Sequence, residues 1–307
     1  RLVSTISHVS ISVTLALYGF GALSLAWANF VGILSFGIMA NLLRPKGLPF
    51  LPSFKFFKNI FRFGSIAALG NAVNTIGTNG PDVIVGKIID MAAVGYLSRA
   101  NGLVQLFSRL LSDAVLPLIL PYFSQIHREG GDFKATYVRA ISLFTSLAWP
   151  FFAGTSLLAA PMVRSLYGSQ WEDSIPLVEL LSLAGIIGSF TLFAGQVMTA
   201  SGRIKDATYS QLWTQPLRVV LVLFAAHYGL FYIGVALIAA ELFSLIIVSL
   251  FLKRTVQIGL VEMITVCWKS AAITVFSCLV PLWINIYWQE EFSLTWIPLA
   301  LGISGAL

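Results

Sequence analysis

The chain has 307 residues, of which 57% are hydrophobic and only 10% charged, whereas an ordinary soluble domain is about 25% charged. Its mean hydropathy of +0.86 excludes a soluble globular protein. The net charge of +6 does not indicate nucleic-acid binding, because that function requires a basic face on a soluble element.

Apolar segments long enough to cross a bilayer, about 20 residues each, follow one another along the whole sequence. They predict an all-α, polytopic transmembrane helical bundle of about ten spans. The segments are 3–20, 22–43, 64–86, 93–122, 138–162, 174–198, 207–227, 230–252, 263–286 and 293–307. Because the sequence starts without methionine and stops inside an apolar run, we expect it to be a piece of a longer chain.

Basic residues concentrate in every second connection between the predicted spans. These connections carry Arg44, Lys46, Lys55, Lys58, Arg62, Arg128, Lys134, Arg139, Arg203, Lys205, Lys253 and Arg254. By the positive-inside rule they face the cytoplasm, which predicts a cytoplasmic N-terminus. The other connections hold only Lys87, Arg99 and Arg164, together with Glu172, Asp173, Glu290 and Glu291.

The connection 44–62 also interrupts the succession of spans. It contains Pro45, Gly47, Pro49 and Pro52. Within it, residues 54–62 place phenylalanines on one helical face and cations on another, which predicts an interfacial helix on the membrane surface. We therefore expect a hinge between two helical bundles here.

Two neighbouring spans carry polar side chains on a single helical face. On span three these residues are Asn71, Thr75, Thr78 and Asp82. On span four they are Ser98, Gly102, Gln105, Arg109, Ser112 and Asp113. Polar groups at membrane depth usually face the bundle interior or a hydrated cavity, so we expect a cavity between these helices.

Some of the embedded charges have a partner at matching depth. Asp82 and Arg99 flank one predicted turn, and Arg218 and Glu241 flank another. Embedded charges commonly pair, so structural ion pairs are the favoured interpretation for both, although ligand binding stays open.

Arg109 has no carboxylate at matching depth on span three, and its only sequence-local candidate partner is Asp113, four residues on. If Asp113 does not neutralise it, Arg109 is a fixed positive charge available to an anionic ligand. Glu179 also lacks an evident partner. We regard Asp113 and Glu179 as candidates for proton or cation coupling.

Motifs for catalysis, metal binding or cofactor binding do not occur in a supporting context. His127 and Asp132 have the spacing of the histidine–carboxylate pair of glycerolipid acyltransferases. They lie in a short, charged connection, so a solvated loop is strongly favoured. We therefore expect no enzyme activity, no metal and no cofactor.

Several segments in order resemble signatures of one transporter family. They are FRFG (61–64), PDVIVGKIID (81–90), VGYLSRANGL (94–103), VLPLILPYFSQI (115–126) and SLYGSQWEDSIPLVELLSL (165–183). The chain resembles Wzx-type polysaccharide flippases, in particular the lipopolysaccharide biosynthesis branch. These proteins belong to the multidrug, oligosaccharidyl-lipid and polysaccharide exporter superfamily.

The resemblance implies a MATE-like fold of two six-helix bundles, of which this chain lacks the first helices. Residues 1–43 would be the last two helices of the N-terminal bundle, and 44–62 a cytoplasmic linker with an interfacial helix. Residues 63–255 would form the six-helix C-terminal bundle, and 256–307 a truncated appended helix pair.

The resemblance also implies an activity, namely flipping of a lipid-diphosphate-linked oligosaccharide across the bacterial inner membrane by alternating access. Its partners would be this lipid-linked substrate, bilayer lipids and other polysaccharide assembly proteins. Arg109 would hold the diphosphate, and Asn71, Thr75, Thr78, Gln105 and Asp82 would line the cavity. The alternatives are a cation-coupled drug exporter of the same superfamily or a membrane-embedded glycan polymerase or acyltransferase.

Overall fold

The computed structural model describes residues 2–21, 23–42 and 57–287, and these form α-helices, a short 3₁₀-helix (Ser169–Ser174) and the turns between them. In chain order the helices are α1 (Leu2–Leu17), α2 (Leu23–Leu42), α3 (Phe57–Ile88), α4 (Met91–Glu129), α5 (Phe133–Leu157), α6 (Ala159–Tyr167), α7 (Ile175–Gly188), α8 (Ala194–Ala200), α9 (Ile204–Ala225), α10 (Leu230–Thr255), α11 (Leu260–Val266) and α12 (Trp268–Tyr287). The predicted all-α membrane bundle is confirmed.

The chain divides into two compact units, residues 1–57 and 58–307. In the first unit α1 packs against α2. The Ser4 hydroxyl donates to the carbonyl of Gly32 at 2.9 Å, a side-chain bond across the two helices. Small and hydroxyl residues permit this close approach of helices in a membrane.

Capping residues define where α4 begins and ends and where α5 begins. Asp90 caps the start of α4, where its carboxylate accepts from the Ala93 amide at 2.6 Å. At the other end Gly130 adopts φ +68° and its amide donates to the Ile126 carbonyl, a conformation that glycine takes without penalty. Asp132 then caps α5 by accepting from the Ala135 amide at 2.9 Å.

Helix α7 lies at the centre of the second unit, where it packs against α4, α5 and α10. Its buried side chains include Leu177, Val178 and Leu181. The largest fully buried side chain of the core is Tyr137 on α5. These neighbours surround the cavity described below and hold its walls in place.

Helix α12 packs against α5 through buried hydroxyl groups. Thr145 and Ser270 share a hydrogen bond of 2.8 Å, and Ser270 also donates to the Ser142 carbonyl at 3.3 Å. Buried hydroxyls of this kind join helices where the surroundings offer no water. The beginning of the predicted appended pair is thus attached to the second unit.

By length and composition alone, α5 and α10 are long and apolar enough to cross a membrane, and α11 with 268–283 forms a bent third candidate in the part of the chain that is described. Helices α3 and α4 have 32 and 39 residues, longer than the roughly 20 that a crossing needs. Their polar stripes lower their hydropathy. The count of about ten spans stays a prediction.

Three of the predicted spans contain breaks. Segment 138–162 is interrupted at Leu158, segment 174–198 between α7 and α8, and segment 263–286 at Cys267. At the second break the Ser189 hydroxyl donates to the Ile186 carbonyl at 2.6 Å and accepts from the Trp149 indole at 2.8 Å. Such side-chain bonds compete with the backbone hydrogen bonds of the helix. Hydropathy stays high across the break, so hydropathy alone does not predict it.

The predicted interfacial helix 54–62 is described only from Phe57 onward, and there its residues continue directly into α3. The predicted hinge residues 44–56 and the last predicted span, 293–307, lie outside the described residues. The domain boundaries predicted from the resemblance therefore stay a prediction.

The second unit gathers its basic helix ends on one side. Lys134 at the start of α5 pairs with Glu262 at the start of α11, at 2.7 Å. Thr208, in the second turn of α9, donates to the carbonyl of Ile66 near the start of α3, at 3.1 Å. That this side faces the cytoplasm, as the positive-inside rule predicts, stays a prediction.

Candidate functional site

A cavity of about 840 Å³ lies inside the second unit, within the size range of small-molecule sites, about 300–1,000 Å³. Its walls come from α3, α4, α5, α7, α8, α9 and α10 and from the turn between α7 and α8. Its polar lining residues are Asn71, Asn74, Thr78, Asn101, Gln105, Ser189, Thr191, Gln196, Thr199, Thr208, Ser210, Gln211, Thr214, Gln215, Arg218, Glu241 and Ser244. Apart from one arginine and one glutamate, these groups are neutral amides and hydroxyls.

A bridge of amide side chains connects α3 with α9 along one wall of the cavity. The Gln215 amide nitrogen donates to Asn74 Oδ1 at 3.0 Å and to Gln211 Oε1 at 2.9 Å. The other amide atom, Gln215 Oε1, is buried and accepts no hydrogen bond from the groups described. The bridge orients amide groups toward the cavity without using any charge.

Arg218 and Glu241 form an ion pair that faces this cavity. Each side chain keeps slightly less than a fifth of its surface exposed, 19% and 18%. Gly188 on α7 lies opposite, and a Cβ there would come within 3.2 Å of Glu241 Oε2. Because both side chains line the cavity and keep part of their surface exposed, the ion pair is accessible from the cavity. It also connects α9 to α10.

Three residues of the predicted cavity set line the cavity, namely Asn71, Thr78 and Gln105. Thr75 is exposed, and its hydroxyl donates to the Asn71 carbonyl at 2.9 Å. Arg109 is exposed outside the lining, and its guanidinium donates to Gln105 Oε1 at 3.3 Å. Arg109 thus reaches the cavity only through Gln105.

The pairing of Asp82 with Arg99 is not found among the described ion pairs. The Arg99 guanidinium lies instead over the rings of Tyr167 and Trp171, at 5.4 and 4.9 Å from their centroids. Asp82 is half-buried and lies outside the cavity lining. Aromatic faces attract a guanidinium and compete with a carboxylate for it.

Two proposed coupling residues lie elsewhere. Glu179 is exposed on α7 and does not line the cavity. Asp113 belongs to α4, but its side chain lies outside the described part of the structure. A role of either residue in coupling stays a prediction.

The cluster around Arg99 explains part of the VGYLSRANGL segment. Gly95 on α4 leaves room for Trp171, whose ring would lie 3.1 Å from a Cβ at that position. Tyr96 meets the same ring edge to face at 5.8 Å. Gly102 faces the Tyr167 hydroxyl, 3.4 Å from where its Cβ would be. The segment thus joins α4 to the connection between α6 and α7.

Replacing Trp171 with alanine is expected to lower the unfolding free energy by about 1–2 kcal/mol, because it removes a cation–π contact and an edge-to-face ring contact. SDS titration of the purified protein would measure this loss. Trp213→Ala is the matched control, since Trp213 is 64% exposed. An equal loss in both variants would contradict a stabilising cluster at Arg99.

His127 and Asp132 have separate structural roles. Asp132 caps α5, and the His127 ring contacts Phe133 edge to face at 5.8 Å. Within the described part of the chain, no group of three or more His, Cys, Asp or Glu side chains could hold a metal ion.

The sequence interpretation missed most of the α9 wall. Thr208, Gln211, Gln215 and Arg218 all line the cavity, and their spacings of three, four and three place them on one helical face. The same phase argument that found the stripes of α3 and α4 would have found this one. Only the charge at Arg218 was considered there.

A sequence family described as polysaccharide biosynthesis protein matches residues 1–176, more than half of the chain. The chain belongs to this family. Among curated relatives, the teichuronic acid biosynthesis protein TuaB of Bacillus subtilis is 24% identical over 87% of the chain and 52% of its own length. The succinoglycan biosynthesis transport protein ExoT of Rhizobium meliloti is 28% identical over 60% of the chain and 37% of its own length.

The lipopolysaccharide biosynthesis protein WzxC of Escherichia coli is 21% identical over 47% of the chain and 29% of its own length. The chain thus spans about half the length of TuaB, and its matches cover smaller shares of the other two relatives. Its fold is similar to that of the lipid II flippase MurJ in an inward closed conformation, with a TM-score of 0.68 and 17% identity. That likeness covers 98% of this chain and 63% of the MurJ chain, and it shows that the two chains share a helical membrane-bundle fold.

Proposed function

We propose that this chain is part of a flippase that moves a lipid-diphosphate-linked oligosaccharide across the bacterial inner membrane during surface polysaccharide biosynthesis. The observation that carries the proposal is the cavity lined by neutral amides and hydroxyls around a single ion pair. Amides and hydroxyls donate and accept hydrogen bonds, so they can replace the water around sugar hydroxyls at membrane depth. Family membership and the names of the relatives support the same substrate class.

The distribution of charge supports a glycan more than a cation as the transported species. A cation-coupled drug exporter would need a free carboxylate in the cavity. Among the described lining residues the only carboxylate is Glu241, and Arg218 neutralises it. A transporter that hydrates sugars and carries out no chemistry fits this lining, so we propose no enzymatic step.

The remaining assignments of the sequence interpretation belong to the same proposal. Residues 63–255 would be the C-terminal bundle of a two-bundle transporter, with a cytoplasmic N-terminus and the linker at 44–62. Arg109, held by Gln105 at the edge of the cavity, would supply a positive charge for the diphosphate. Other polysaccharide assembly proteins would receive the flipped lipid.

The double substitution Asn71→Leu with Gln211→Leu is expected to lower surface polysaccharide at least about tenfold, because each lost hydrogen bond to substrate costs about 0.5–1.5 kcal/mol. The assay is polysaccharide extracted from cells in which the variant replaces the native gene. Lipid-linked precursor should accumulate in the inner membrane of the same cells.

The matched control is Tyr209→Leu with Trp213→Leu. Both residues lie on the exposed face of α9, the helix that carries Gln211, and their side chains are 50% and 64% exposed. This control should leave export unchanged. Normal export by the cavity variant, at equal protein level, would overturn the proposed function.

A further inference from the structure

A second, smaller pocket of about 410 Å³ lies between the start of α3 and the turn that leads into α9. It is lined by Arg62, Phe63, Ile66, Gly202, Arg203, Ile204, Lys205 and Asp206. This surface, which we term the basic pocket, is distinct from the larger cavity lined by amides and hydroxyls. The two adjoin each other, because Phe63 and Ile204 line both.

The basic pocket carries more positive charge than its own carboxylate can neutralise. Arg203 pairs with Asp206 at 3.5 Å. Arg62 and Lys205 have no ion-pair partner among the described residues, and both side chains are exposed. Two cations that converge on one pocket favour an anion with several oxygens, such as a phosphate or diphosphate, because charge-assisted hydrogen bonds to it are strong.

One wall of the pocket is apolar and continues into the exposed surface of α3. Phe63 and Ile66 form this wall, and Phe63 is 52% exposed. Ile60, three residues before Phe63 and close to the same helical face, is 66% exposed. A cationic rim beside an apolar surface suits a ligand with an anionic head and a hydrocarbon chain rather than a free anion.

At the opposite end of the second unit, two of the three cations are engaged, and the third, Lys87, is exposed and lines neither the basic pocket nor the cavity. Arg164 pairs with Glu172 at 2.8 Å, and Arg99 lies over two aromatic rings. The unpaired positive charge next to the cavity therefore lies on the side where the basic helix ends gather. This asymmetry distinguishes the basic pocket from a general basic surface.

We propose that Arg62 and Lys205 form a binding site for the phosphate or diphosphate headgroup of a membrane lipid, whose hydrocarbon chain lies against Phe63 and Ile66. Arg203 pairs with Asp206, the carboxylate of the pocket lining, and so reduces its repulsion of the anion. The site holds a lipid headgroup beside the cavity, next to Phe63 and Ile204, which line both. It does not require that the cavity transports anything, because binding and transport are measured separately.

Farnesyl diphosphate is the probe, titrated against the intact protein in phosphatidylcholine nanodiscs by isothermal calorimetry. The double substitution Arg62→Gln with Lys205→Gln is expected to raise the dissociation constant for farnesyl diphosphate at least about tenfold, because each charged hydrogen bond is worth about 1.5–3 kcal/mol in general. The matched control, Arg128→Gln with Lys253→Gln, removes the same charge from exposed positions outside the pocket. It should change binding less than about twofold.

Equal weakening in both double variants, or no binding by the native protein, would overturn the proposal. Inorganic diphosphate is the second arm. Competition by it at the same concentration as the lipid would show that a free anion suffices and would overturn the lipid assignment. The cavity variant Asn71→Leu with Gln211→Leu should keep its farnesyl diphosphate binding even if export fails, which separates this proposal from the proposed function.

Lys205→Glu alone is the second variant for the case in which the double substitution does not purify. Lys205 is exposed and unpaired among the described residues, so its replacement should leave the helices intact. This variant should raise the dissociation constant for farnesyl diphosphate at least about tenfold, because it replaces an attractive charge with a repulsive one. Retained binding in Lys205→Glu would contradict the assignment.

Discussion

Arg218→Ala is expected to lower the unfolding free energy by about 2–4 kcal/mol and to abolish polysaccharide export. Breaking a fully buried ion pair costs about 3–5 kcal/mol, because it leaves an uncompensated charge. Here Arg218 and Glu241 keep 19% and 18% of their side-chain surfaces exposed, so water in the cavity reduces that cost. SDS titration measures the stability, and extraction of surface polysaccharide measures export.

A double substitution separates the structural from the functional part of this effect. Arg218→Met with Glu241→Leu replaces both charges by apolar groups of similar volume, which often restores or raises stability. We expect it to unfold at nearly the native denaturant concentration and still to export no polysaccharide. Full export by this variant would show that the pair serves packing alone.

The exchanged pair, Arg218→Glu with Glu241→Arg, is the complementary control. It retains the attraction between α9 and α10 but moves the positive charge from α9 to α10. Export should stay below about a tenth of the native level, since charge-assisted hydrogen bonds depend on position and direction. Native-like export would mean that only the presence of the pair matters, whichever helix carries each charge.

The positions of the helices were largely predictable from the sequence, because hydropathy and the basic connections both report them. Helical phase also predicted the polar faces that carry Asn71, Thr78 and Gln105, and these residues line the cavity. Phase works on a single helix, since residues three and four apart share a face whatever the tertiary fold. It does not tell which helix that face meets.

The partners of the charged residues were only partly predictable. Arg218 and Glu241 lie on consecutive helices, so their depth along the hairpin sufficed to bring them together. Arg99 meets Tyr167 and Trp171, which lie more than sixty residues farther along the chain, and no local pattern reports that contact. The breaks at Leu158 and between α7 and α8 escaped notice for a related reason, because hydropathy averages report apolarity and not backbone geometry.

The close approach of α3 to α9 depends on glycine at position 77. A Cβ built there would lie 2.6 Å from Gln215 Cβ and 2.7 Å from Gln215 Cδ, which is shorter than real Cβ contacts allow. Gly70, two turns earlier on α3, has a similar role, because a Cβ there would lie 3.2 Å from Thr208 Oγ1. Small residues let membrane helices approach to this distance.

Gly77→Leu is therefore expected to force α3 away from α9, to break the Gln215–Asn74 hydrogen bond and to open the cavity wall. Overpacking costs about 1–3 kcal/mol and occasionally more, and a leucine against the base of a side chain belongs at the upper end. We expect the unfolding free energy to fall by about 3 kcal/mol and export to be lost.

Gly64→Leu provides the matched control on the same helix, because nothing lies within 4 Å of a Cβ at that position. It should change the unfolding free energy by less than about 0.5 kcal/mol and leave export intact. The double variant Gly77→Ala with Gln215→Gly should recover much of the stability lost in Gly77→Ala, since the overlapping side chain is gone. Export, by contrast, should stay reduced in it, because the amide bridge to Asn74 is absent. If Gly77→Leu is as stable as Gly64→Leu, the two helices do not need this contact and the α3–α9 wall of the cavity is held by other means.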